Sequence, residues 1–373
     1  MLGVETYMLA NPGSGGVIRR SCAEFQVEEL LPYEFTNSGE FTVLKIEKKG
    51  ISTIQARNEI AKALGIGKQQ VSYAGLKDTQ AVTRQYFSLH KVDIERVKQF
   101  QHPKIQILEL HRHARKIKIG KLYANRFVII VRDCNPEQGM WNFQELAGRG
   151  VPNVFGWQRF GGREGNTHTV GEKIIKKQYQ EAIDLIIMGF FGNRSAIQEA
   201  YNSREYEKIL KMLPRGAFLE KALIKQLLKK KKPEACLKVI DKGMRWLYAS
   251  AYQAHLFNEI LNKRMERGLD VQEGDLVKKY HGIICSSSLM PGFKTPFAGG
   301  MQGVIEREVL ERHGVEPGDF RKEKLEGKRR ANVFPLWGTN CQQDGTTLEL
   351  RFTIPKGCFA TAVLREVMKK DVE

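Results

Sequence analysis

The hydrophobic pattern changes character twice along the chain. Phe41-Thr-Val-Leu-Lys-Ile-Glu47 alternates with a period of two and predicts a strand. After Gly50 the spacing lengthens, and a helix is expected from about Ser52 to Leu64. Ser52 and Gln55 have the spacing of a capping box, in which each side chain satisfies the other residue's backbone N–H. Gly65 supplies the stop. Val71 to Tyr73 and Thr83 to Leu89 read as short strands, Asp93 to Phe100 as a short helix and Ile105 to Leu110 as a strand. Phe127-Val-Ile-Ile-Val-Arg132 reads as a buried strand. Such mixing predicts an α/β or α+β domain.

From about Glu172 to Arg264 the apolar positions Ile174, Ala182, Leu185, Ile186, Ile209, Met212, Leu223 and Leu227 recur at helix-like intervals. The strand pattern returns near Val277 to Met290 and at Leu348-Glu-Leu-Arg-Phe-Thr-Ile354. A largely helical insertion within a mixed α/β domain is therefore the expected architecture. Two lysine-rich runs, Lys229 to Pro233 and Lys322 to Arg330, are read as solvated surface. No internal repeat is visible.

Composition narrows the partners. At 373 residues the chain has length for roughly two domains, and 42% apolar with 27% charged residues is ordinary for a globular protein. The 60 Lys and Arg against 42 Asp and Glu give a formal charge of +18, which favours a polyanionic partner, nucleic acid foremost. The N-terminus lacks a basic region followed by an apolar core, so no signal peptide is expected. Leu185-Ile-Ile-Met-Gly-Phe-Phe191 falls far short of the roughly 20 residues a membrane helix needs, and no membrane span is expected. The six cysteines are scattered without a Cys-x-x-Cys pair, which suits buried thiols in a reducing compartment and a cytoplasmic location.

Several chemistries lack their motifs. Three Gly-Lys pairs, at 67–68, 120–121 and 327–328, have Lys62, Arg115 and Lys322 five residues before the glycine, so no Walker A loop forms. No Gly-x-Gly-x-x-Gly fingerprint follows Gly13 or Gly65, and no nucleotide cofactor is implied. His111-Arg-His113 is the one close histidine pair, and no carboxylate or cysteine adjoins it, so no metal site is expected.

Two stretches carry candidate chemistry. In Val71-Ser-Tyr-Ala-Gly-Leu-Lys-Asp-Thr-Gln-Ala-Val-Thr-Arg-Gln-Tyr-Phe-Ser88 a lone acid, Asp78, lies in the connection between two strands. A loop acid is well placed for catalysis, and aspartate is also common in loops because it caps and turns them. Val151-Pro-Asn-Val-Phe-Gly-Trp-Gln-Arg-Phe-Gly-Gly-Arg163 interleaves aromatics with arginine, asparagine and glycine, as a site that stacks a splayed-out base and holds phosphate requires. Core packing and base contact stand as equal readings for Phe155 and Phe160.

Four blocks together resemble the TruD family of tRNA pseudouridine synthases: Ala74 to Gln85, Asn153 to Gly161, Ser250-Ala-Tyr-Gln-Ala-His-Leu-Phe-Asn258 and Ile354-Pro-Lys-Gly-Cys-Phe-Ala-Thr-Ala-Val-Leu-Arg-Glu366. They occur in the family's order and span most of the chain. The resemblance implies isomerisation of uridine to pseudouridine in tRNA, typically at position 13, with no cofactor and no metal. It implies a pseudouridine synthase catalytic domain centred on a mixed sheet (1–163 and 337–373) and interrupted by an inserted TRUD domain (164–336).

Residue by residue, Asp78 matches the family's catalytic aspartate and Phe155 the aromatic that packs against the target base. Asn153 matches a polar residue that holds active-site loops, and Phe359 a second active-site phenylalanine. Lys77, Gln158 and Arg159, within the same blocks, are expected substrate contacts. Gly16-Val-Ile-Arg-Arg-Ser-Cys-Ala-Glu-Phe-Gln-Val27 resembles the opening strand whose basic residue pairs with the aspartate. Arg19 is the aligned position, Arg20 adjoins it, and Cys22-Ala23 depart from the family's usual Pro-Glu.

The implied chemistry suits these residue types. The target atoms are out of reach in a stacked helix, so the nucleotide must be flipped out and an aromatic face must replace part of its stacking. An aspartate that attacks the sugar or removes its 2′ proton must be ionised, and a guanidinium beside it favours that form. His111-Arg-His-Ala-Arg-Lys-Ile-Lys-Ile-Gly-Lys121 is expected to continue a strand or hairpin with a cationic face, where Arg112, Arg115 and Lys118 contact the tRNA backbone. The competing readings are a non-catalytic RNA-binding protein or RNA chaperone and, with less support because the neighbourhood of Asp78 offers no second acid before Asp93, a metal-dependent nuclease. Oligomeric state is left open.

Overall fold

The computed structural model describes residues 3–162, 165–191 and 195–372; Arg163, the last residue of the aromatic and arginine stretch, lies outside them. The chain forms two compact units. One is Leu9–Val151 with Phe334–Val372, and the other is Pro152–Val333 with the N-terminal residues through Met8. The unit changes therefore fall at 151/152 and 333/334, where 163/164 and 336/337 were expected from the sequence.

The first unit is built on a nine-stranded sheet. Its strands in chain order are β1 (Gly15–Val17), β2 (Phe25–Leu30), β3 (Phe41–Lys49), β4 (Val71–Tyr73), β5 (Val82–His90), β6 (Ile105–His113) and β7 (Ala124–Cys134), followed by Trp337–Asp344 and Thr347–Pro355. Across the sheet the order is Trp337–Asp344, Thr347–Pro355, β7, β2, β5, β3, β6, with β1 also on β7 and β4 also on β5. β2 and β5 pair in parallel, and the other pairings are antiparallel. This mixed sheet matches the expected fold class.

Helix α1 (Thr53–Ala63) starts where the sequence places it. Ser52 Oγ accepts from the Gln55 N–H at 3.2 Å and Gln55 Oε1 accepts from the Ser52 N–H at 3.0 Å. Gly65, at φ +56, supplies the left-handed turn that ends it. Ala56, Ile60 and Leu64 pack against Leu44, Ile46, Phe87 and Leu89 of β3 and β5. Each large side chain buried this way contributes roughly 1.5–3 kcal/mol, so packing holds the helix more than propensity does.

β6 runs three residues beyond the expected Leu110 and stops at His113, and the basic segment after it is neither strand nor hairpin. Ile117 and Leu122 are drawn into a cluster with Val43 and Ala74. The Ile117 N–H donates to Ser88 Oγ at 2.9 Å and the Gly120 N–H to the Ala74 carbonyl at 2.7 Å. These two amides are bonded to the sheet and the Asp78 connection without a partner strand.

In the second unit, Thr167–Ile175, Tyr179–Phe191, Ser195–Asn202, Tyr206–Met212 and Phe218–Leu228 form helices around Ile174, Ile183, Ile187, Leu223 and Ile224. The long helix Lys242–Met265 buries Tyr252, Leu256 and Ile260 with Val309, Leu310 and Phe320. An antiparallel sheet orders Lys328–Ala331, Ile283–Met290 and Val277–Tyr280. Lys229 to Lys232 are exposed, as read from the sequence, but the Lys322 to Arg330 run is only partly solvated. Arg329 turns inward to Glu306, 2.7 Å away and fully buried. Strand residues alternate in direction, so Arg330 faces the other way. All six cysteines are thiols, four of them buried. Among the described residues no helix is long and apolar enough to cross a membrane.

Candidate active site

Asp78 lies in the irregular connection between β4 and β5. Three contacts fix that connection from the first unit's framework. Thr53, the first residue of α1, accepts the Lys77 N–H on Oγ1 at 2.9 Å and donates to Gln85 Oε1 of β5 at 2.9 Å. The Lys77 ammonium lies 2.8 Å from Glu29 Oε2, and both side chains are almost wholly buried. Lys48, at the end of β3, donates to the Ile51 carbonyl at 2.7 Å and to the carbonyl of Asp78 itself at 2.9 Å.

The carboxylate faces a guanidinium. Arg19 Nη2 is 3.5 Å from Asp78 Oδ2, with side chains 14% and 31% exposed, so the acid remains accessible while its partner is mostly enclosed. Arg19 adopts φ +60, a left-handed conformation that costs a non-glycine residue roughly 1 kcal/mol. Its guanidinium carbon sits 4.0 Å above the centre of the Phe25 ring, which limits how far the cation can swing. Arg20 turns away: its N–H donates to Glu24 and its guanidinium pairs with Asp133. The two adjacent arginines are thus separated by geometry.

The second unit assembles a different cluster. The Asn153 side chain donates to the Ala331 carbonyl at 2.9 Å, and its Oδ1 accepts from Arg330. Asn258, fully buried on the long helix, takes the Phe155 N–H at 2.9 Å and returns a bond to the Phe155 carbonyl at 3.0 Å. The Phe155 ring, 8% exposed, meets Phe257 edge to face at 5.7 Å and carries the Arg330 guanidinium 4.2 Å from its centre. Phe160 is fully buried against His168 and is a core residue, which settles the choice left open for it. Gln158 is exposed. Arg159 donates to Ser250 Oγ at 2.8 Å, and burial pushes its guanidinium below the usual range. Partial burial, and then the charges of Arg330, Lys278 and Arg159, push the Lys328 ammonium down as well. These four residues form a cationic group.

The model of the family described as tRNA pseudouridine synthase D (TruD) matches residues 1–284 and 280–367. The chain is 34% identical to a tRNA pseudouridine synthase D of Geobacter sp. (strain M21), with 99% of this chain and 100% of that protein covered. It is 36% identical to one of Geobacter metallireducens, with 99% of each covered. The chain belongs to the TruD family. A solved Methanosarcina mazei structure named for TruD superposes with a TM-score of 0.85 at 26% identity and covers 99% of this chain and 97% of its own.

Set against this TruD membership, the expected site residues divide into those the structure gathers and those it does not. Arg19, Lys77 and Asp78 are gathered in one unit and Asn153, Phe155 and Arg159 in the other. Phe359 stands, extended, just before the helix Ala360–Met368. Arg112 donates to Thr42 Oγ1 at 2.9 Å and to the Val92 carbonyl at 3.2 Å, which makes it a clamp within the sheet. Arg115 and Lys118 are exposed. Phe25, Lys48, Asn258 and Arg330 were not singled out from the sequence. The Phe25 and Asn258 positions fell inside the quoted blocks, whereas Arg330 lay in a run read as plain surface.

One histidine and carboxylate group has ligand-like spacing. His255 and His313 place Nε2 at 2.9 and 3.1 Å from the same oxygen of Glu259. Arg312 holds the other oxygen. Burial would raise the Glu259 pKa, but the hydrogen bonds from the two imidazoles outweigh it and hold the group below the usual carboxylate range. With its charge already answered by Arg312, the group is most simply a tie between the long helix and the residue that follows helix Gly300–Arg312. At the other histidine pair, Glu109 Oε2 lies 3.2 Å from His111 Nε2, so a carboxylate does adjoin it, contrary to the sequence reading. Residues 109 and 111 share a strand face because of the period-two alternation.

Proposed function

We propose that the chain converts uridine to pseudouridine in tRNA, at position 13, with Asp78 as the reacting carboxylate. The observation that carries this is the partly exposed Asp78 carboxylate held opposite the enclosed Arg19 guanidinium at 3.5 Å. The reaction breaks the N1–C1′ bond of uridine, turns the base and forms a C5–C1′ bond; the C5 proton leaves to solvent and the freed N1 takes up a proton. It is an isomerisation with no net oxidation. Arg19 directs the Asp78 carboxylate toward the sugar. Phe155 supplies an aromatic face for a flipped-out base, Asn153 and Arg330 hold Phe155 in place, and Arg115 and Lys118 contact the RNA backbone. The protein acts in the cytoplasm, where its substrate resides.

The test is tritium release from tRNA labelled at C5 of uridine, in the presence of chelator, with the modified position read by carbodiimide adduct mapping. Stoichiometric release with a new adduct at position 13 is expected. Binding of tRNA without release would favour an RNA-binding protein instead.

A further inference from the structure

Lys48 is the most enclosed cation beside the Asp78 loop. It is 1% exposed, yet it is the next-to-last residue of β3, in the sequence Glu47-Lys48-Lys49-Gly50, where a lysine would ordinarily point to water. Its neighbour Lys49 does so. The ammonium of Lys48 instead spans two chain segments. It donates to the Ile51 carbonyl, just ahead of the Ser52 cap of α1, and to the carbonyl of Asp78. A buried ammonium is costly, and carbonyl oxygens together with a nearby carboxylate are the groups that offset the cost. Thr53 fixes the same loop at Lys77, one residue earlier. The Asp78 peptide is therefore held from both sides, by a hydroxyl on the Lys77 N–H and by an ammonium on the Asp78 carbonyl.

We propose that Lys48 is a positioning residue for the reaction: through the two hydrogen bonds its ammonium donates, it fixes the main chain of Asp78 and with it the direction of the carboxylate. The proposal rests on the reading of Asp78 as the reacting group. Burial lowers the Lys48 pKa to about 8; the charge of Asp78 raises it, Lys77 lowers it and Cys22, in the turn before β2, raises it. These are the titratable groups that bear on Lys48 from the loop and from the opening segment. Because the group loses its proton as pH rises through about 8, its charge is present below that pH and absent above it.

The experiment is the tritium-release assay on the full chain from pH 6 to pH 10, comparing wild type with Lys48→Met and Lys48→Arg and recording melting temperature beside kcat and KM. Wild type should lose kcat on the alkaline side with a midpoint near 8. Lys48→Met should lower kcat about 10- to 100-fold with KM for tRNA unchanged within about threefold, and its alkaline limb should vanish. Lys48→Arg, which stays charged, should move the limb beyond the range and keep more activity than Lys48→Met. Wild-type kcat in Lys48→Met, or an alkaline limb at the same pH in either variant, would overturn the proposal. If Lys48→Met does not fold, the position of the limb in Lys48→Arg decides alone. An inactive wild type would instead defeat the assignment of the reaction, so the two failures are distinguishable.

Discussion

The Asp78 connection and the Phe155 segment are held by opposite means. Around Asp78 the restraints are ionic: Arg19 on the carboxylate, Lys48 on the carbonyl, and the buried Lys77 and Glu29 pair one residue away. Around Phe155 they are amides, with Asn258 closing two hydrogen bonds on its backbone and Asn153 clasping Ala331. Arg330 adds a cation, but it sits over the ring, 4.2 Å from its centre. The difference follows from what each segment presents. A carboxylate that must stay charged in a partly dry loop needs cations nearby, whereas an aromatic face needs only fixed geometry. The Asp78 connection should therefore respond to pH and charge substitution, and the Phe155 segment to loss of shape.

The strongest break in this contrast is Glu29→Gln. It leaves the Lys77 ammonium buried without its counter-charge, and the cost should be about 3–5 kcal/mol of folding stability by denaturant titration. A loss below about 1 kcal/mol would mean the loop does not depend on ionic bracing. Next in size, Phe155→Ala should lower kcat/KM about 10- to 100-fold, the worth of one base stack, with tRNA affinity nearly kept and no change in the pH profile. A shifted pH profile would sharpen the comparison in the wrong direction, by showing that the aromatic cluster also sets charge. The smallest effect belongs to the exposed cations. The double change Arg115→Glu with Lys118→Glu should weaken tRNA binding about fivefold and make the log affinity against log salt slope shallower by roughly 1.4–1.8. Unchanged affinity would rule out contact of both residues with the RNA backbone.

Local chemistry was the legible part. The cap at Ser52, the strands around Gly50 and the helical middle follow from spacing alone, because capping and periodicity act within a few residues. The parallel pairing of β2 with β5 joins strands more than fifty residues apart and left no local sign. The basic segment after His113 misled the strand reading because Ile117 and Leu122 are anchored by distant residues of the sheet and of the Asp78 connection. At the candidate site, Asp78 and Phe155 stood out by residue type within their blocks. Lys48, Asn258 and Arg330 did not, since a lysine, an asparagine and an arginine on regular elements read as surface until the fold turns them inward. The choice between Arg19 and Arg20 needed the left-handed turn at Arg19, which sequence does not reveal.

The central claim, that this member of the TruD family isomerises uridine with Asp78, is tested most directly by single-turnover tritium release with wild type and Asp78→Asn on the same C5-labelled tRNA. The expected result is release by wild type and a loss on the order of 10³-fold or more in Asp78→Asn, with tRNA binding retained. Release by Asp78→Asn at the wild-type rate would contradict it.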